Sequence, residues 1–263
     1  MGIINVNDDS FCGDGTLDVT QALAQARRQA AAGAEIIDVG AESARTNRAA
    51  ISVEEEIARL QPFVRGFHAL DWQNEKPLLS INTWRTEVVT AILPEGVDLL
   101  NDLSAMPDPA NARLCAAHGT ALLIMHSVGV PKRAHTHVTY DDIWGTLEKF
   151  FTEKIALAQS AGLTRQQLIL DPGIDFAKQR DDNLLIYADL ERLHPFGIPI
   201  LLPVSRKSVI GQVLTLANPL ERDAGTMACI AAGMRAGAEI FRVHEVPGAV
   251  QVTKVLHWLH GGA

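Results

Sequence analysis

Aromatic residues are scarce in this chain of 263 residues, and so are cysteines. Aromatics make up 5% of the chain, so the core must be packed mainly with aliphatic side chains. The three cysteines, Cys12, Cys115 and Cys229, are odd in number and lack C-x-x-C spacing. This pattern argues against a disulfide framework and against a zinc ribbon. Cys115 and Cys229 lie in alanine-rich stretches of helical character, where we expect them to fill the core.

Long apolar runs and an excess of positive charge are also missing. No run reaches the roughly 18 apolar residues of a membrane span, and the chain does not open on the basic and then apolar segments of a secretory signal. The formal net charge is −8, and the cations form no stripe of the kind that binds nucleic acid. We therefore expect a cytoplasmic protein that has small-molecule partners and neither nucleic-acid nor membrane partners.

What the chain does contain is one recurring unit. An alanine-rich amphipathic segment is followed by a turn with glycine, and then by a short aliphatic run that ends in a polar residue. The eight runs are Gly2–Val6, Ile36–Gly40, Leu78–Asn82, Asp98–Asp102, Ala121–His126, Leu168–Asp171, Ile198–Ser205 and Ile240–His244. Short continuous apolar runs are typical of parallel strands that are buried on both faces.

Segments of helical length separate these runs. They are Val19–Ala32, Ser52–Phe67, Arg85–Leu93, Ala110–Ala117, Asp141–Ser160, Asp182–Leu193, Arg222–Ala236 and Val246–Leu259. Ser52 and Glu55 have the spacing of a capping box at the start of the second segment. Strict alternation over eight units predicts an α/β fold, a single (β/α)8 TIM barrel that occupies residues 1–263 as one domain. An open doubly wound sheet is the main alternative.

Polar residues mark the C-terminal ends of the predicted strands, where such barrels carry their chemistry. They are Asn5, Asn82, Asn101, Asp102, His126, Asp171, Ser205, Arg206, Lys207, Arg242 and His244. Any one strand-end Asn or Asp can be explained as a turn residue, but the whole set would converge on one mouth. Amides and a carboxylate suit the edge of a flat heterocycle.

The cations of this set suit an anion. Lys207, Arg242 and His244 are placed to face one, and a helix is predicted to begin within Ser205–Ser208, where helix N-termini favour phosphate. The alternatives are that Arg206 and Lys207 lie on a solvated helix face and that His244 stabilises a turn.

Seven motifs then appear in a fixed order. They are MGIINVNDDSF, IIDVGAESAR, Leu100–Asp102, Met125–His126, LDPGIDFAK, SRKS and FRVHE. In this order and spacing they resemble the signatures of the dihydropteroate synthase family over essentially the whole chain. The resemblance implies a TIM-barrel transferase of folate synthesis that condenses a pterin diphosphate with p-aminobenzoate. It also implies Mg²⁺ as cofactor, sulfonamides as inhibitors and, as is common in the family, a homodimer.

The resemblance also implies roles for single residues. The implied catalytic residues are Asp171, Lys207 and Asn82. The implied pterin pocket comprises Asn82, Asn101, Leu103, Met125, Asp171, Lys207 and Arg242. The implied diphosphate site comprises Asn5, Ser43, Ala44, Arg242 and His244, with Asn5 as the ligand of Mg²⁺. The implied p-aminobenzoate site comprises Arg45, Thr46, Phe176, Lys207 and Ser208.

Several residues depart from the family pattern at this mouth. Asn82 stands where the family usually has Asp, and Ala44 stands where it has Thr. The other departures are Asp8 for Pro, Thr46 for Pro, Asp175 for Gly and Pro203 for Gly. They leave three hypotheses open: an active synthase with an altered pocket, a pterin-binding paralogue with a different amine or diphosphate, and a methyltetrahydrofolate methyltransferase or non-catalytic pterin-binding protein. Asn5, SRKS and RVH argue against the methyltransferases, which have no use for a diphosphate site.

Overall fold

The computed structural model describes residues 1–8, 15–43, 49–73, 75–133 and 137–259. Within them, eight parallel strands alternate with helices. The strands are β1 Gly2–Asn5, β2 Ile36–Gly40, β3 Leu78–Asn82, β4 Leu99–Asp102, β5 Ala121–Met125, β6 Leu168–Asp171, β7 Leu201–Pro203 and β8 Ile240–Arg242. The helices are α1 Val19–Ala31, α2 Val53–Ala69, α3 Thr86–Ile92, α4 Ala110–His118, α5 Ile143–Ser160, α6 Arg180–Ala188, α7 Ser208–Leu214, α8 Asp223–Arg235 and α9 Val246–Leu259.

The strands close on themselves. β1 to β6 form one continuous parallel sheet in chain order, and β7 pairs with β8. Parallel bridges join Leu170 to Ile200 and Gly2 to Val243, with Leu170 N–H donating to Pro199 at 2.9 Å and Ile3 N–H donating to Val243 at 3.0 Å. The predicted TIM barrel is therefore confirmed, and closure excludes the open sheet.

Side chains alternate between the outside and the inside of the barrel along each strand, as the period of two requires. One set, which includes Ile37, Leu79 and Leu122, packs outward against the helices. The other set, which includes Leu99, Leu123 and Leu201, fills the inside of the barrel. These inward side chains fill the barrel below the C-terminal ends of the strands.

Local sequence explains where the helices begin and end. The side chains of Asp18, Ser52 and Asp142 accept hydrogen bonds from backbone N–H groups in the first turns of α1, α2 and α5, which is the role of N-cap residues. Gly119 ends α4 in the left-handed conformation, with φ 70°, a conformation that glycine adopts without steric cost. Among the described residues, no helix is both long enough and apolar enough to cross a membrane.

Several predicted elements are one or two residues shorter than expected, and two differ from their predicted bounds by more, with proline in or beside both. The predicted strand Ile198–Ser205 is regular only over Leu201–Pro203, since Pro199 and Pro203 have no N–H to donate to a ladder. The predicted helix Asp182–Leu193 is instead α6 followed by 3₁₀ turns over Leu190–Phe196 that contain Pro195. The polar ends of the strands stay together despite these changes.

Candidate active site

The strand register brings the predicted asparagines to one level. Asn5 pairs with Gly40, Gly40 with Asn82, and Asn82 with Asn101. Asn82 and Asn101 are almost completely buried, whereas Asn5 is partly buried. All of these positions belong to the inward set of their strands, so the three amides border one mouth.

Asp38, which the sequence reasoning missed, lies directly below this mouth, one inward position before Gly40 on β2. Its carboxylate is fully buried and accepts hydrogen bonds from Ser80 Oγ at 2.6 Å and from Asn101 Nδ2 at 3.2 and 3.3 Å. Arg242 Nε donates to it at 2.7 Å, across the closure between β8 and the sheet. Asp38 therefore joins four strands. The available signal was a charged residue inside an otherwise aliphatic run, two residues before its end.

Asp171 ends β6 and is paired in register with Met125. Its carboxylate is buried and accepts from the N–H of Gly173 at 2.6 Å. Burial raises the pKa of Asp171 to about 6, while the Gly173 N–H and the charges of Lys207, Lys178 and Arg242 act in the opposite direction. At neutral pH this group is an anion that lies near the side chains of Lys207, Lys178 and Arg242.

Lys207 approaches Asp171 from the turn that precedes α7. Its ammonium donates to the carbonyl of Ile174 at 2.8 Å and lies 5.0 Å from the centroid of the Phe176 ring. Burial lowers the pKa of Lys207, and the carboxylates of Asp175 and Asp171 oppose that shift. The structure thus brings together Lys207, Phe176 and Asp171, as expected from the sequence.

The predicted apolar walls lie in the cluster inside the barrel. Met125 belongs to its buried part, and Leu103 and Phe176 pack against it. An apolar surface next to directional polar groups suits a flat heterocycle.

Two predicted anion ligands have fixed orientations. Arg242 is held through Nε by Asp38, as described above, and its side chain is 22% exposed. His244 Nδ1 lies 2.7 Å from Ser205 Oγ, which also accepts from the backbone N–H of His244 at 3.1 Å. The hydroxyl of Ser205 therefore fixes the imidazole ring beside the end of β8.

Three polar strand ends do not join the mouth, contrary to the expectation: Asp102, Arg206 and His126, whose ring packs edge-on against Phe150 of α5. Asp102 belongs to the outward set of β4, where it accepts from the N–H of Ser104 at 2.8 Å and from Asn111 Nδ2 at 2.9 Å. Arg206 forms an ion pair with Asp223 at 2.7 Å instead of facing an anion. The reason is the alternation of the strand for Asp102 and the positive φ of 54° for Arg206, which turns its side chain toward α8.

The turn that carries Lys207 is held by Arg222, another residue that the sequence reasoning missed. Arg222 is 7% exposed. Its guanidinium donates to the carbonyls of Arg206, Lys207, Leu216 and Ala217. Backbone carbonyls of a tight turn need such donors when they are buried, so Arg222 fixes the backbone on either side of α7.

The predicted anion site at the start of α7 is already occupied by a side chain of the protein. Asp175 accepts from the backbone N–H groups of Ser208 and Val209, and Asn183 Nδ2 donates to it at 3.3 Å. Asp175 adopts a φ of 67°, a region that Asp enters more readily than most residues. The prediction of a phosphate at this helix terminus is therefore wrong for this chain, because an internal carboxylate takes the same N–H groups.

A buried pair lies beneath the loop after β6. Lys178 Nζ is 2.8 Å from His126 Nδ1 and donates to the carbonyls of Gly173 and Phe176 at 3.0 and 3.1 Å. Burial lowers the pKa of Lys178 to about 7, and burial together with the charge of Lys178 lowers the pKa of His126 to about 3. The neutral imidazole and the lysine hold the loop that carries Asp175 and Phe176.

Three of the predicted residues, Ala44, Arg45 and Thr46, lie outside the described residues. Ser43 lies just before them and is partly buried. The predictions for these positions stay predictions.

The polar groups near the end of β1 bear on the predicted Mg²⁺. The described part of the chain holds no group of three or more His, Cys, Asp or Glu that could bind a metal. Asn5 offers one amide oxygen, and the fully buried Asn7 has Oδ1 and Nδ2 atoms without partners among the described residues. Mg²⁺ takes oxygen ligands and often completes its shell with substrate phosphates. These donors fit an ion that a diphosphate shares.

Known proteins are similar to this chain in sequence and in fold. Residues 1–244 match the family described as pterin binding enzyme. The dihydropteroate synthase of Escherichia coli (strain K12) is 37% identical over 257 residues, which cover 97% of this chain and 89% of that protein.

Solved structures agree in fold. A Yersinia pestis dihydropteroate synthase with a sulfonamide drug complex superposes with a TM-score of 0.91 and 33% identity, covering 100% of this chain and 94% of that one. A Xanthomonas albilineans dihydropteroate synthase with 4-aminobenzoic acid superposes with a TM-score of 0.88 and 33% identity, covering 99% and 92%.

Proposed function

The chain belongs to the pterin binding enzyme family, and on that premise we propose that its barrel mouth performs the dihydropteroate synthase reaction. It joins 6-hydroxymethyl-7,8-dihydropterin diphosphate to p-aminobenzoate and releases 7,8-dihydropteroate and diphosphate. The protein is thus a transferase of folate synthesis. The observation that carries this function is the meeting of Asn101, Asp171, Lys207 and Arg242 at one barrel mouth.

The pterin ring is held by the amides and the carboxylate. Asp171 is ionised above about pH 6, and a carboxylate can accept two N–H bonds from a guanidine-like edge. Asn82 and Asn101 fix the direction of the ring, while Leu103 and Met125 contact its face.

The diphosphate leaves before the amine attacks. The bond between the pterin methylene carbon and the diphosphate oxygen breaks, and its electron pair goes to the diphosphate. Arg242 and His244, with Ser43 and the predicted Ala44, bind the leaving anion. Asn5 would hold Mg²⁺, which when bound takes up charge that develops on the diphosphate oxygens.

Asp171 stabilises the cationic methylene group that remains. The lone pair of the p-aminobenzoate nitrogen then forms the new C–N bond, after which that nitrogen loses a proton to water. Phe176 and Lys207 border this second substrate together with Ser208 and the predicted Arg45 and Thr46. The protein contributes mainly orientation and electrostatic stabilisation.

One observation favours a second candidate function. The carboxylate of Asp175 accepts hydrogen bonds from the N–H groups of Ser208 and Val209, next to the proposed position of p-aminobenzoate, which is itself an anion. A pterin-binding paralogue that uses an uncharged amine would tolerate this carboxylate better than a synthase that uses p-aminobenzoate. A non-catalytic pterin-binding protein would bind the pterin without turnover.

The proposal includes a homodimer in the cytoplasm. Large apolar side chains are exposed on α6, on α7 and just after α7, namely Leu184, Leu185, Val213, Leu214 and Leu220. Adjacent apolar patches of this kind mark protein–protein interfaces. Light scattering on the purified protein, with Leu185→Glu as a dissociating variant, tests the dimer.

The described cysteines, Cys115 and Cys229, are free thiols. Free thiols suit a reducing compartment such as the cytoplasm.

Turnover is the decisive experiment. The purified protein is mixed with the pterin diphosphate, p-aminobenzoate and Mg²⁺, and dihydropteroate is detected by mass, with Lys207→Ala as the control variant. Product that disappears without Mg²⁺ and in the variant supports the proposal. Pterin binding without product from p-aminobenzoate, but with product from an uncharged arylamine, supports the paralogue.

A further inference from the structure

Asp38 lies below the mouth, and it is too deeply buried to touch a substrate. Its side chain is 0% exposed. Three side chains from three other strands meet it: Ser80 from β3, Asn101 from β4 and Arg242 from β8. Two of these, Asn101 and Arg242, are residues of the proposed pterin and diphosphate sites.

Asp38 is the acceptor in each of its side-chain hydrogen bonds with the described residues. An ionised carboxylate is an acceptor only, so each neighbour must turn a donor toward it. Asn101 therefore turns its Nδ2 group toward both carboxylate oxygens, at 3.2 and 3.3 Å. An amide that directs its nitrogen at a carboxylate turns its oxygen away from that carboxylate. Asn101 is thereby fixed as an acceptor toward the mouth.

Arg242 is constrained in the same way. Its Nε donates to Asp38 at 2.7 Å, which leaves the two terminal nitrogens of the planar guanidinium as donors for an anion. Without a buried anion beneath them, the amide of Asn101 would be free to rotate and the guanidinium would lose its anchor.

From this geometry we infer that Asp38 is the positioning residue of the pterin pocket: it sets Asn101 as an acceptor and Arg242 as a donor, and so selects a ligand with an N–H group beside an anion. The inference rests on the proposed function, since it takes the ligand to be the pterin diphosphate. Asp38 acts through its two neighbours and touches neither substrate.

Asp38→Asn is the informative substitution, because it keeps the shape and removes the acceptor-only character. An amide at position 38 can donate to Asn101 Oδ1 and so allows the Asn101 amide to turn over. We expect the Kd for 6-hydroxymethyl-7,8-dihydropterin diphosphate, measured by calorimetry without amine, to rise at least tenfold. The KM for p-aminobenzoate should stay within about twofold of the wild-type value.

Asp102→Asn is the matched control. Asp102 is also a buried aspartate near the mouth, but it faces the outside of β4 and bonds Ser104 and Asn111. The same chemical change there should leave the Kd for the pterin diphosphate within about twofold. A general loss of packing would weaken binding in both variants, whereas lost positioning weakens it only in Asp38→Asn.

A double-mutant cycle with Asn101→Ala tests whether Asp38 acts through its neighbour. The loss of affinity for the pterin diphosphate in the double variant should be smaller than the product of the losses in the two single variants. If Asp38→Asn does not fold, Asn101→Asp provides the test, because a carboxylate at 101 cannot donate to Asp38; its affinity should then fall as far as that of Asn101→Ala.

The outcomes separate this inference from the proposed function. If the wild-type protein binds the pterin diphosphate and Asp38→Asn or Asn101→Asp binds it equally well, the role of Asp38 is overturned. The proposed function then still stands. Fully multiplicative losses in the cycle overturn the role of Asp38 as well. Wild-type protein that does not bind the pterin diphosphate overturns both.

Discussion

Asp175 places a negative charge where the second substrate is proposed to bring its own. The substitution Asp175→Asn removes that charge and keeps an acceptor for the N–H of Ser208. Asparagine also tolerates the positive φ of 67° at this position. We therefore expect the unfolding free energy to change by less than about 1 kcal/mol, within the usual range for a cap that is replaced by a similar one.

The effect on substrate should be larger and selective. If the two carboxylates are taken as about 8 Å apart, they repel by about 2 kcal/mol at an effective dielectric constant of about 20. Asp175 is only partly buried, so we halve this value for solvent screening, which leaves about 1 kcal/mol. The KM for p-aminobenzoate should then fall roughly fivefold, since 1.4 kcal/mol corresponds to a factor of ten.

Steady-state kinetics with two amines provides the assay. p-Aminobenzoate carries the carboxylate, whereas p-aminobenzamide is neutral and has nearly the same shape, so its KM should stay within about twofold. An unchanged or higher KM for p-aminobenzoate in Asp175→Asn would refute the electrostatic reasoning. An equal gain for both amines would show a change of shape instead.

Further predictions concern pH and stability. Because Asp171 must be ionised to accept from the pterin and its pKa is raised to about 6, kcat/KM for the pterin diphosphate should fall as the pH drops below about 6, and this limb should vanish in Asp171→Asn. Lys178→Met leaves the carbonyls of Gly173 and Phe176 without their donor and should cost about 1–3 kcal/mol in urea unfolding. The pKa of Lys178 is lowered to about 7, so the unfolded chain binds this proton more tightly than the folded chain does. The unfolding free energy of the wild-type protein should therefore rise between about pH 7 and the ordinary lysine pKa near 10.4. This rise should be absent in Lys178→Met. Arg222→Ala should lower the melting temperature and also weaken turnover, because the turn of Lys207 loses its donors; unchanged turnover would show that the turn holds without them.

The sequence predicted the fold well because each local pattern agreed with the global one. The runs Ile36–Gly40, Leu78–Asn82 and Leu168–Asp171 are strands with the predicted bounds. The seventh strand was predicted too long, since apolar character was given more weight than the missing N–H groups of Pro199 and Pro203.

The residues of the candidate site that could be predicted from the sequence are those that end a strand or lie in the segment just after one. Strand-end residues such as Asn101 and Asp171 can be found from the strand pattern alone. Asp38 lies within a strand, and its importance depends on Arg242, which is 204 positions away in the sequence. Asp175 was noted as a departure, but its contact with Ser208 depends on how two loops meet. Such long-range contacts leave no periodic signal.

The closure of the barrel has a consequence for how the two halves of the mouth can change. The strands that carry Asn82, Asn101 and Asp171 belong to one uninterrupted ladder, and they form a rigid floor for the first substrate. Between β6 and β7 the wall is joined by a single isolated bridge, and the loops that carry Asp175 and Lys207 cross that seam. Backbone shifts at a seam disturb few ladder bonds, so this half can accept new side chains while the other keeps its geometry. The barrel thus separates a conservative half from an adaptable one, and it is in the adaptable half that the choice of amine can evolve.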